Sequence, residues 1–165
     1  MAQVSSVGTR AVRAFLLGPT GLASRVAELS EREGFKFAGR ENAPIVEQNV
    51  SFEMVERSEG VNYPAIYVYC EKVANTLREK FRRFSGEARI AVEVRLSEDR
   101  LAELQRKLML WTEAVTNVLE NHRGDWGEGM FYGGGYEISF SSVKRGGKNY
   151  IQTAKISFNV DVSIA

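Results

Sequence analysis

The side chains best suited to covalent chemistry are one thiol and one imidazole, Cys70 and His122. A thiol becomes a nucleophile only where a base or a positive field removes its proton. Cys70 alternates in phase with Ile66 and Val68, so it reads as a small buried apolar residue. His122 lies far along the chain near an expected helix end. One His and one Cys leave a zinc site to carboxylates alone, which is poor ligand chemistry for that ion. Of the carboxylates, Glu98, Asp99 and Glu103 suit a helix start, where they meet the positive end of the dipole. Asp125 and Glu128 flank Trp126 without a partner acid or base. The expectation is no catalytic set, no cofactor and no metal: a chain that is not an enzyme.

Glycine-rich segments invite a phosphate-binding reading, and their order argues against it. A dinucleotide loop follows a strand and opens a helix, so that phosphate meets the helix N-terminus. Here Gly124-Asp125-Trp126-Gly127-Glu128-Gly129 follows an expected helix, and Gly133-Gly134-Gly135 leads into a strand. Gly146-Gly147-Lys148 ends like a phosphate-binding loop, but Ser142 stands at its first glycine and Asn149 replaces the Ser or Thr. What remains is a loop carrying Trp126, Phe131 and Tyr132. Such aromatics either cover the edge of their own core or dock a partner. Lys80, Phe81, Arg82 and Arg83 form the strongest basic cluster, and Arg145 and Lys148 add a second. Each is a solvated loop or a contact for an acidic partner or passing DNA. The candidate interface residues are therefore Arg82, Arg83, Trp126, Phe131, Tyr132, Arg145 and Lys148.

The elements that must carry these residues are legible from periodicity. Ala88, Ile90, Val92, Val94 and Leu96 alternate with Arg89, Glu93 and Arg95. Tyr150 to Ile164 repeats the pattern against Thr153, Lys155, Ser157, Asn159, Asp161 and Ser163. A period of two with one apolar face describes strands of a sheet covered on one side. Strands are expected near 64–71, 87–97, 136–144 and 149–164, with a tight hairpin at Arg145–Lys148 whose paired glycines supply positive φ. Ser97 is read as the cap of a helix over 98–122, ended by Gly124. Its stripe of Leu101, Leu104, Leu108, Trp111, Val115 and Val118 should lie on the sheet. Residues 9–34 read as helix broken at Gly18-Pro19. Residues 35–63 read as an extended arm or edge strand, and 72–86 as a loop or short helix. The fold class is α+β: a mainly antiparallel sheet of at least four strands, backed by a long helix and N-terminal helices, in one domain over 1–165.

The totals agree with an ordinary globular chain, 44% hydrophobic and 26% charged. With 22 Lys and Arg against 21 Asp and Glu, the net charge is +1. Binding that scales with phosphates neutralised usually needs a clear basic excess. A lone cysteine suits a reducing compartment. No run approaches a membrane span, and Met1 to Thr9 lacks the pattern of a secretion signal. The expected place is the cytoplasm, with no membrane partner.

Four features together resemble the tail terminator (tail completion or neck) proteins of long-tailed bacteriophages. These are Tyr63-Pro64-Ala65-Ile66 opening a strand, and Ile90–Leu96 leading through Ser97-Glu98-Asp99 into a helix with Trp111 and Ala114-Val115. Gly124-Asp125-Trp126-Gly127 follows it, and the hairpin Val143–Tyr150 precedes the long last strand. The likeness covers roughly residues 60–165. It implies a virion protein made in the host cytoplasm, a hexameric ring at the neck end of the tail. Its partners would be further copies of itself, the tail tube protein and the head–tail connector or stopper, with a passing contact to DNA in the lumen. Another neck or head-completion adaptor, or a small nucleic-acid-binding module, are the alternative readings.

Overall fold

The computed structural model describes residues 2–34, 43–51 and 63–165. In chain order the elements are α1 (Ala2–Leu17), α2 (Leu22–Glu33), β1 (Ile45–Val46), β2 (Ala65–Ala74) and β3 (Phe84–Glu98). Then come α3 (Leu101–Glu120), β4 (Gly124–Gly127), β5 (Met130–Tyr132), β6 (Glu137–Phe140), β7 (Lys144–Gly146) and β8 (Asn149–Ile164). This is an α+β fold with helices backing a curled, mainly antiparallel sheet.

The sheet is organised around β3 and β8, at 15 and 16 residues far longer than the usual strand. They pair antiparallel without a register shift, from Phe84↔Ile164 to Glu98↔Tyr150. Beyond β3 lies β2, and beyond that β1, which runs parallel to β2. The other edge of β8 is shared in turn by β7, β6 and β5, and β4 closes that side. Ile90, Val92, Val94, Phe158 and Val160 form the core face, and α3 lies on it with Leu104, Leu108, Trp111, Val115 and Val118 buried, whereas Leu101, expected in the same stripe, is exposed at the first position of the helix. Trp111 is 0% exposed, as the helical stripe requires. α2 flanks α3, where Arg32 pairs with Glu113.

Several boundaries differ from the sequence expectation, each for a physical reason. α1 begins at Ala2, ahead of the helix start expected at residue 9. Ser5, Ser6, Gly8 and Thr9 are weak helix formers, but burial of Val4 and Val12 against the sheet overrides propensity. Gly8 sits so close that a Cβ there would meet Ile90 at 2.8 Å. Ser97 does not cap α3. It pairs with Ile151 and Glu98 with Tyr150, so the ladder keeps both in β3, and the cap position falls to Arg100 with no side-chain bond. Glu98 instead accepts from Lys107 at 2.6 Å. The helix ends at Asn121, and Gly124 belongs to β4. The strand expected at 136–144 is broken between β6 and β7. There the Ser141 hydroxyl accepts the Thr153 N–H at 3.0 Å and its carbonyl accepts from Gln152, a side chain competing with the ladder. In the last hairpin only Gly147 takes positive φ, and Gly146 stays in β7. Of the expected arm, Ile45–Val46 is an edge strand, while 35–42 and 52–62 lie outside the described residues.

Candidate interaction surface

The Gly124–Gly135 segment forms a hairpin rather than a free loop. Glu128 and Gly129 both take positive φ, as a two-residue turn matched to strand twist demands. At Gly129 a Cβ would strike the Ser163 carbonyl at 2.1 Å. The hairpin carries Trp126 and Tyr132 inward. The Trp126 ring N–H donates to the His122 carbonyl at 2.6 Å, and its ring meets Phe15, Tyr132 and Phe158 at 5.1, 5.5 and 6.3 Å. His122 stacks on Phe15 at 4.0 Å. Tyr132 is 0% exposed, and burial raises the pKa of its hydroxyl. Tyr132 is a core residue and Trp126 packs partly buried against the core, and together they tie α1, the end of α3 and β8. The Tyr132 ring is not available to a partner. Phe131, one residue away and so on the opposite face, is 49% exposed.

The basic candidates are surface residues, but they do not converge. Arg83 donates its backbone N–H to the Ile164 carbonyl at the end of β8, whereas Arg145 pairs with Tyr150 at its start. At about 3.3 Å per residue these groups stand roughly 45 Å apart. The structure thus keeps the Arg82–Arg83 and Arg145–Lys148 clusters apart, at opposite ends of β8.

Chemistry-bearing residues are likewise dispersed. Cys70 is half-buried against the core, its thiol pKa raised by that burial, and its sulfur donates to the Lys72 carbonyl. His122 is committed to Phe15 and to the Val118 carbonyl at 2.8 Å. Asp125 is exposed and accepts the Gly127 N–H, and Glu128 is exposed at the turn. A half-open cleft of about 560 Å³ lies between α1 and the hairpin, lined by Val4, Val7, Phe84 and Met130 with Arg83 and Glu128. Among the described residues no metal-binding group of three His, Cys, Asp or Glu gathers, and no helix is long and apolar enough to cross a membrane.

No protein-family model matches the chain, and neither does any curated protein.

The second face of the sheet, which carries Arg89, Glu93, Arg95, Lys155 and Asp161, has three zones. Near the start of β2, Ala65, Tyr67, Tyr69 and Ala91 form a small cluster covered by Val46 and Val50. Arg95 is buried there, its guanidinium 4.2 Å from the Tyr67 ring, bonded to Glu93 and to the Val50 carbonyl at 2.7 Å each. In the middle, Glu71 binds Arg89 and Lys155, and Arg89 reaches Glu137 at 2.8 Å. Burial alone would raise the Glu71 pKa, but Lys155 and then Arg89 outweigh it, so the carboxyl lies below its ordinary value. At the far end the compensation stops. Glu87 stands directly opposite Asp161, Asp161 opposite Phe131, and Phe131 opposite Asp125. This acidic row was not foreseen, because its members come from three separate strands.

Proposed function

We propose that the chain is a phage tail terminator, a structural virion protein that forms a ring on the tail tube, ends its polymerisation and joins the connector. The observation that carries this reading is how the motifs behind the resemblance are used. Ile90–Leu96 and the last strand form one unbroken ladder, Trp111, Ala114 and Val115 sit beneath it, and Gly124–Gly127 enters a hairpin at its edge. The result is a continuous sheet with loops at both ends, suited to gripping a tube on one side and a connector on the other. Catalysis has no part in this reading. The nucleic-acid alternative weakens, since its cations stand at opposite ends of β8 and affinity scales with phosphates contacted together.

Imaging of particles assembled without this protein tests the proposal. Tails of uncontrolled length, or tails that fail to join heads, are expected. Normal tails on normally joined heads would overturn it.

A further inference from the structure

We infer that the loop at residues 75–83 of one copy docks on the acidic end of the sheet in the next copy, a head-to-tail contact that rests on the ring reading above. The loop carries Arg78, Lys80, Arg82 and Arg83 against Glu79 alone, on a chain whose net charge is only +1. It is held as a shaped protrusion. Leu77 N–H donates to the Ser85 carbonyl, Asn75 accepts from Ser85, and Arg83 N–H donates to Ile164. Arg78 and Phe81 adopt left-handed φ of 50° and 65°, a conformation costly for residues with side chains and one that clusters at functional positions. This bracing presents apolar groups to water: Phe81 is 97% exposed and Leu77 67%.

The receiving surface is the row Glu87, Asp161, Phe131 and Asp125. Like charges placed directly across a ladder destabilise it, and Glu87 faces Asp161 in that way. Every other carboxylate on the two central strands of this face has a cation: Glu93 has Arg95, and Glu71 beside them has Arg89 and Lys155. The row has none among the described residues, nor do the loop's four cations pair with it in the same chain. The half-exposed Phe131 at its centre gives an aromatic partner for Phe81. The two patches adjoin at one end of the sheet, where Ala74 pairs with Glu87. A loop that meets the next copy's row, in one direction only, makes a heterologous contact, the kind that closes a ring where the rotation allows.

The test reverses each side separately in the full chain. Arg82→Glu with Arg83→Glu makes loop and row both negative; Glu87→Lys with Asp161→Lys makes both positive. Sedimentation at low salt should show the wild type self-associating and each variant weakened at least about tenfold. An equimolar mixture should assemble again, because each variant's loop then meets the other's row with opposite sign. Recovery in the mixture also shows that both variants fold. A monomeric wild type, variants that associate like wild type, or a mixture that stays apart overturns the contact. So does loop-dependent binding of duplex DNA without self-association. A wild-type oligomer indifferent to both reversals sinks this contact and leaves the ring standing, whereas normal particles made without the protein sink the ring and leave the measured self-association.

Discussion

Trp126, Phe131 and Tyr132 look alike in the sequence, three aromatics in a glycine-rich segment, and the hairpin sorts them by parity. Trp126 and Tyr132 fall on the core face, Phe131 on the open one. Truncating Tyr132 to alanine should cost about 3–5 kcal/mol through the cavity it leaves. Phe131→Ala should change stability by no more than about 0.5 kcal/mol. Urea denaturation of the two variants checks the pair, and equal losses would contradict the assignment. Glu71 makes a second residue-scale prediction. Its folded pKa lies below the ordinary value of about 4.3. The unfolded chain therefore takes up this proton first as pH falls. The stabilisation is complete above the ordinary carboxylate range and is lost as pH drops through the folded pKa. Glu71→Gln should lower stability at neutral pH by about 1–2 kcal/mol and flatten the acid-side decline. Thermal melts across pH would show parallel curves if the ion pairs contribute nothing.

At the scale of elements, the strong periodic signals were readable and the local interruptions were not. The core face of β3 and β8 and the stripe of α3 follow from alternation and helical spacing, since burial of one face dictates both. Leu108→Ala should therefore cost about 2–5 kcal/mol, measured by denaturant unfolding. A loss below 1 kcal/mol would mean that α3 does not lie on the sheet as described. The start of α3 was misplaced because Ser97 has cap chemistry, while the cross-strand partner Ile151 that holds it in β3 lies far along the chain. Ser141 dividing β6 from β7 and the helical start of α1 share that cause: each depends on a contact distant in sequence. The acidic row was hidden in the same way. Glu87, Asp125 and Asp161 are unremarkable singly and become a feature only when register aligns them.

For the whole molecule, the two long strands set a slab roughly 45–50 Å from end to end, with basic residues at both ends and an uncompensated acidic row near one. This distribution explains why the net charge of +1 says little about partners: opposite charges cancel in the total while each sign stays clustered on the surface. Contacts built on such surfaces weaken with salt, since exposed charges are screened within about 10 Å at 0.1 M. Raising salt from about 0.05 to 0.5 M should therefore shift the proposed self-association toward monomer. The central claim concerns where that association acts, and position in the particle tests it most directly. With the protein carrying a gold label, electron microscopy of purified virions should place the label at one point, the junction between tail and head. Label spread along the tail, confined to the capsid, or missing from the virion would contradict the account.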